Sequence, residues 1–331
     1  MDRGTGRVRG MPLRSLTTVA VALTGCVVLV STTTCLGATA AATAAAPGTT
    51  AIVHPPTGEQ ERERLRIEAE IQRVPAAELM EARVHLSADG LTMPYRLFVP
   101  KTGGDRRPYP LVVYLHHAGQ TGTDNLKQIR HDQSPNKTDW GVGVFLLPEN
   151  QRKHPCLVVA PQVPEQKAWA CMDWTKSQSP RPKEMNEYMR MTFEIVDGLL
   201  AKYPVDRGRI YVTGASMGGF GTFEAVSRRP HFFAAAVPIC GGHDEACAPL
   251  LADTPIWAFH GDQDETISVQ RTRNMVAAVR AAGGKPIYWE YSGVGHTFVR
   301  DLAYDDPRLI EWIFEQKRDA SDTSSSSKEK P

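Results

Sequence analysis

The sequence predicts an α/β fold, with a central, mostly parallel sheet flanked by helices and entered through antiparallel N-terminal strands. Three observations predict it. Short apolar runs, Leu111–Leu115, Cys156–Ala160, Phe233–Ile239 and Pro255–His260, have the texture of strands buried on both faces. Between them lie segments of helical period: apolar residues recur at three and four positions from Met185 to Tyr203, and a second helix is expected from about Val269 to Ala282, with Gly283-Gly284 as its stop. Finally, Tyr211-Val-Thr-Gly-Ala-Ser216-Met-Gly-Gly-Phe-Gly221 joins an apolar strand directly to a helix through Gly-x-Ser-x-Gly.

The N-terminus differs in composition from the rest. Arg3, Arg7, Arg9 and Arg14 precede an apolar run, Leu16 to Val30, and then a small-residue tract, Ala38 to Ala46, which is the order of a secretory signal over residues 1–46. Ala38-Thr39-Ala40 and Ala44-Ala45-Ala46 suit ordinary cleavage, whereas Leu23-Thr24-Gly25-Cys26 resembles a lipoprotein box with Cys26 as the lipidated residue. Release is preferred because Val27 to Val30 stay apolar past Cys26; a membrane association would need lipidation at Cys26 or an uncleaved signal. Losing four Arg and one Asp takes the formal charge from +1 to −2, and no basic patch marks a nucleic-acid binder. A monomer is expected. Four cysteines follow the signal, an even number in an oxidising compartment, and the local pairings Cys156–Cys171 and Cys240–Cys247 are preferred.

Residues 47–58 are rich in Pro, Gly and Thr and read as linker; 59–73 are too charged for a buried face and read as a solvated helix or arm, so 47–79 is expected to precede the catalytic domain. That domain is placed at 80–317, followed by a disordered tail, 318–331, with four consecutive serines. Arg83–Leu86 and Pro94–Val99 around Asp89-Gly90 read as an antiparallel pair. Leu111–Leu115 ends in the Gly-rich loop His116 to Asn125, which can present a backbone N–H, from Ala118, to a reacting carbonyl. Residues 131–155 read as a polar excursion able to form a rim over the site. In the loop Trp169 to Trp174, at a strand's carboxyl end, Trp169 and Trp174 are candidate substrate contacts, as is His117. The last strand is Pro286–Tyr291, its loop Gly293–His296, and a closing helix runs from Asp306 to Lys317.

Loops after parallel strands gather at one end of the sheet, so Ser216, the loop Gly261–Glu265 and His296 are expected to converge. A serine hydroxyl attacks at neutral pH only when a base takes its proton, and a carboxylate fixes the base's tautomer. Ser216 is the candidate nucleophile, His296 the base and Asp264 the acid; Asp262, directly after His260-Gly261, is assigned to bracing its turn. The amides of Met217 and Ala118 are the candidate oxyanion donors. His116 and His260 are read as supports of their loops, and His243 as near the site. No cofactor or metal is called for, since neither Cys-x-x-Cys nor paired histidines at ligand spacing occur.

Leu115-His-His-Ala-Gly-Gln-Thr-Gly-Thr-Asp-Asn125, Pro155–Gln162, Gly214-Ala-Ser-Met-Gly-Gly219, Phe259-His-Gly-Asp-Gln-Asp264 and Gly293-Val-Gly-His296 together resemble secreted α/β-hydrolases often called predicted peptidases. That group is similar to phospholipase/carboxylesterase, polyhydroxybutyrate-depolymerase-like and feruloyl-esterase-like serine esterases. The resemblance covers roughly residues 80–317. It implies the α/β-hydrolase fold and hydrolysis of small or polymeric carboxylic esters through an acyl-enzyme. Peptide cleavage of the prolyl-oligopeptidase kind, or an inactive surface binding protein on the same fold, are the alternatives. Dienelactone hydrolases share the architecture but would place cysteine where Ser216 stands. One departure is His117, which occupies a glycine position of the family's His-Gly-Ala-Gly loop and is expected to narrow the site or redirect the loop.

Overall fold

The computed structural model of the chain describes residues 46–101, 107–131, 134–176 and 178–318. The signal, Cys26 and the tail from 319 lie outside the described residues. In chain order the elements are β1 (Thr50–Val53), α1 (Gly58–Arg73), α2 (Ala76–Leu79), β2 (Glu81–Leu86), β3 (Thr92–Phe98), β4 (Tyr109–Leu115), β5 (Arg130–His131), β6 (Ser134–Thr138), α3 (Trp140–Leu146), α4 (Pro148–Lys153) and β7 (Leu157–Pro161). They continue with α5 (Glu187–Lys202), β8 (Val205–Ala215), α6 (Met217–Arg228), β9 (Ala235–Ile239), β10 (Trp257–Gly261), α7 (Gln270–Ala281), β11 (Ile287–Tyr291), α8 (His296–Tyr304) and α9 (Pro307–Glu315).

Nine strands form one sheet in the order β1-β11-β10-β9-β8-β4-β7-β3-β2; β2, β3 and β7 are joined antiparallel and every other neighbouring pair is parallel. Among the described residues, the short strands β5 and β6 pair with each other and with no other strand. The alternation of a strand sorts the core into two faces. Val112, Tyr114, Val158, Ala160 and Phe259 point to the side covered by α1, α3, α8 and α9, while Leu111, Val113, Leu115, Leu157, Val159 and Ala258 point to the side of α5, α6 and α7. This is the α/β-hydrolase fold, and the order places β8, which delivers Ser216, beside β4 near the middle of the sheet.

Two expectations for the flanking segments are corrected. Residues 47–58 are not a linker throughout: Thr50–Val53 is an edge strand in parallel register with Tyr288–Tyr291, and its hydrogen bonds to β11 outweigh its turn-prone composition. The helix over 58–73 is present, but Ile71 is fully buried against α3, and Arg64 is only 8% exposed because it meets α8. Of residues 131–155, none of the described ones lines the cleft at the candidate site. They fold into β6, α3 and α4, with Trp140 and Phe145 buried in the core; Asp139, whose side chain accepts from Gly141 N–H, starts α3. The disulfide pairings are also corrected, since Cys156, Cys171, Cys240 and Cys247 are all free thiols. Cys240 belongs to one core face and Cys247 to the other, so the sheet separates them despite their closeness in sequence. Alkylation under denaturing, non-reducing conditions is expected to label all four, and protection of any pair would contradict this.

Packing around the turn into α6 depends on small residues. A methyl group on Gly214 or Gly218 would run into the Leu115 carbonyl oxygen of the neighbouring strand, and one on Gly219 into that of Ile239. Gly218→Ala is therefore expected to destabilise the fold by about 1–3 kcal/mol, the cost of overpacking a rigid backbone contact. A denaturation midpoint equal to the parent's would refute that.

Candidate active site

Ser216 ends β8 and precedes α6. Its backbone sits at φ 57°, ψ −120°, a left-handed conformation uncommon for a residue with a side chain. The strain is held by the surrounding bonds: Ser216 N–H donates to the Ile239 carbonyl (2.9 Å), and its own carbonyl accepts from Phe220 N–H (3.0 Å) as α6 begins. The hydroxyl is thereby presented at the apex of the turn, beside the N-terminal amides of a twelve-residue helix.

The loops after β10 and β11 reach this point from the far side of β9. His296 Nε2 lies 2.9 Å from Ser216 Oγ, and His296 Nδ1 lies 2.6 Å from Asp264 Oδ2. An ionised carboxylate only accepts, so Nδ1 carries the hydrogen and Nε2 faces Ser216 as an acceptor. Asp264 is fixed further: Oδ1 accepts from the Thr266 and Ile267 amides (2.9 and 2.8 Å), and Oδ2 lies 3.1 Å from His260 Nε2. Burial alone would raise the Asp264 carboxyl, but bonds from His260, His296 and the Ile267 amide outweigh it and hold the group well below the usual carboxylate range. Asp262, by contrast, accepts from Gly293 N–H (2.7 Å) and ties the two loops together.

The Gly-rich loop after β4 completes the rim. His117 has extended backbone, φ −80°, ψ 172°, which any residue adopts, so the glycine of the family loop is not required there. Its Nδ1 accepts from Gly119 N–H (3.1 Å) and caps the 3-10 turn Ala118–Gln120. The imidazole thus shapes the loop from within instead of narrowing the cleft. His116, fully buried, donates from Nδ1 to the His117 carbonyl (2.8 Å) and accepts at Nε2 from Val163 N–H (3.0 Å); burial lowers its pKa to about 3.

A cleft of about 680 Å³ opens at this rim, lined by Ala118 and Met217 together with Lys167, Met172, Trp174 and Tyr188 among others. The two residues proposed as oxyanion donors therefore face the same space. The aromatic candidates separate: Trp174 is 42% exposed and lines the cleft, whereas Trp169 is fully buried, stacks edge-on against His116 and donates from Nε1 to its carbonyl (2.9 Å). Trp169 is a wedge between α6 and the loop, not a substrate contact; a methyl at Gly221 would meet its Cβ. His117 likewise does not line the cleft. Tyr188, one of the periodic apolar residues from Met185 to Tyr203, is half-buried at the cleft wall as the second residue of α5. His243 is buried against Ser227 (2.9 Å) and Met172 (2.9 Å) and does not approach Ser216 through any of these bonds.

The contribution of His260 was not legible beyond loop support. Its Nε2 is shared between Asp264 and the Ile267 carbonyl (3.0 Å), and its Nδ1 meets Thr272 Oγ1 (2.7 Å). Two acceptors at Nε2 place the hydrogen there, so His260 gives Asp264 a second imidazole donor. The spacing His-x-x-x-Asp at a strand end was the available signal. Cys240 Sγ, His260 and Asp264 also form a group whose donor atoms all lie within 4.8 Å of one another, but Oδ2 of Asp264 there already accepts from His296.

Comparison with known proteins bears on this geometry. The sequence model of the dienelactone hydrolase family matches residues 150–324, more than half of the chain. The chain belongs to this family. The position where a cysteine was expected of this family holds Ser216, so the expectation that membership would require a cysteine there does not apply to this member. A solved thermostable esterase is similar over 73% of this chain and 64% of its own, with 37% identity and a TM-score of 0.66. Shorter stretches resemble the bifunctional acetylxylan esterase/xylanase XynS20E of Neocallimastix patriciarum, 29% identical over 87 residues, and poly(3-hydroxyalkanoate) depolymerase C of Paucimonas lemoignei, 43% identical over 49 residues. These stretches cover 26% and 15% of this chain but only 13% and 12% of those proteins.

Proposed function

We propose that this chain is a secreted serine hydrolase that cleaves carboxylic esters through an acyl-enzyme. The observation that carries the reading is the unbroken hydrogen-bonded path from Ser216 Oγ through His296 to Asp264, starting at a serine held in left-handed backbone. His296 Nε2 takes the Ser216 proton as Oγ attacks the ester carbonyl carbon, and Asp264 stabilises the imidazolium that results. The tetrahedral oxyanion forms between the Met217 and Ala118 amides, aided by the N-terminus of α6. His296 returns the proton to the departing alkoxide, and water, activated by the same imidazole, then releases the acid and restores Ser216. Esterase names among the similar proteins support an ester over an amide. The open cleft beside Trp174 and Tyr188 suits a small ester or the end of a polymeric one. Secretion is supported by the basic, apolar and small-residue order of residues 1–46.

A panel of aryl, acetyl, feruloyl and peptide substrates tests the reading. Ester turnover together with fluorophosphonate labelling at Ser216 is expected. Peptide cleavage exceeding ester cleavage would favour the peptidase alternative, and absence of labelling the inactive fold. N-terminal sequencing of protein recovered from culture medium tests secretion.

A further inference from the structure

His296 is the first residue of α8, so the place of its imidazole follows from how that helix is seated. On the inner side Tyr304 meets Thr213 of β8 (2.9 Å), and Arg300 lies 3.7 Å from Asp139 with its guanidinium over the Trp140 ring at 5.3 Å. On the outer side a single residue of α1 spans the element. Arg64 Nη1 donates to Asp305 Oδ2 at the C-cap (2.9 Å), while its Cζ stands 5.2 Å from the centroid of the Phe298 ring, two residues beyond His296. Glu61 and Glu68 hold the same guanidinium at 2.8 and 3.0 Å, so its own position is fixed.

The arrangement is costly. Asp305 is fully buried at its side chain, its Oδ1 has no partner among the described residues, and burial pushes the carboxyl up to about 8 against the pull of Arg64. Pairs of this kind contribute little net stability. A planar guanidinium bonded at one end of α8 and stacked at the other resists both sliding and rotation of the helix. The segment also lies outside the part of the chain that matches the family, residues 150–324.

We propose that Arg64 is a positioning residue for His296, making the N-terminal helix α1 a strut that sets the distance between imidazole and Ser216. The proposal rests on the ester-hydrolase reading of that site. Its test compares full-length R64M, R64K and D305N with the parent in kcat and KM for an aryl ester, and in the far-downfield proton resonance of the His296–Asp264 hydrogen bond, which needs no substrate. Misplacement of a reacting group by about 1 Å costs up to about 100-fold. R64M is expected to lower kcat by about 10- to 100-fold with KM near the parent's, and to shift or broaden the resonance. R64K, which keeps the charge and loses the fork, is expected between parent and R64M; D305N, which keeps an acceptor for Arg64, is expected near the parent. Parental kcat and resonance in R64M, or a change confined to KM, overturn the proposal. Should R64M not fold, parental kcat and resonance in R64K overturn it equally. A parent without ester turnover would overturn the ester reading alone, and the resonance would then decide the strut.

Discussion

Ser216→Ala is expected to reduce kcat on a reactive aryl ester by about 10⁶-fold, the scale set by loss of a serine nucleophile from a fully assembled proton-transfer chain. The fold should survive. The methyl group keeps the backbone bonds to Ile239 and Phe220 and removes only the hydroxyl that faces His296. Residual hydrolysis should come from binding and the amides of Met217 and Ala118, and it should not be accompanied by covalent labelling. Turnover comparable to the parent's in a folded S216A protein would remove Ser216 from the mechanism, whatever its geometry.

Asp264→Asn is expected to cost about 10⁴-fold in kcat, for a reason visible in the donors around the carboxylate. The Thr266 and Ile267 amides bind Oδ1, and the imidazoles of His260 and His296 approach Oδ2. An asparagine oxygen that satisfies the two amides leaves its NH₂ group facing two ring N–H donors. His296 must then move its hydrogen to Nε2, where it can no longer accept from Ser216. The same environment has a pH consequence. The folded-state pKa of Asp264 lies below the unfolded value of about 3.9, so its stabilising contribution is complete above that value and is lost as pH falls through the folded pKa. Acid unfolding of the parent is expected to lose this contribution, whereas D264N has none to lose; parallel acid transitions in the two proteins would contradict it.

The parts of the fold legible in the sequence are those whose local pattern and tertiary environment agree. The apolar runs of β4, β7, β9 and β10 needed no further context because burial on both faces is written into every residue of each run. What escaped were elements whose stability comes from distant partners. Thr50–Val53 has a linker's composition and becomes a strand only through β11; α8 begins at His296, directly after Gly293-Val-Gly295, where the sequence suggests a loop, and becomes a helix over Val299, Leu302 and Ala303 packed in the core. The charged face of α1 conceals Arg64, whose role depends on a carboxyl 241 positions away.

The site divides in the same way. The sequence by itself determined which chemical groups are available: a serine between glycines at a strand-to-helix turn, a histidine after the last strand, and carboxylates after the one before it. These follow from chain order and the rule that parallel strands send their loops to one end. Only the tertiary structure set Asp264 Oδ2 at 2.6 Å from His296 and Asp262 on the Gly293 amide, turned His117 inward as a cap, buried Trp169 while leaving Trp174 on the cleft, and set His260 beside Asp264. Residue type and spacing specify which groups can reach a place, whereas the direction of each side chain is fixed by the partners it meets there.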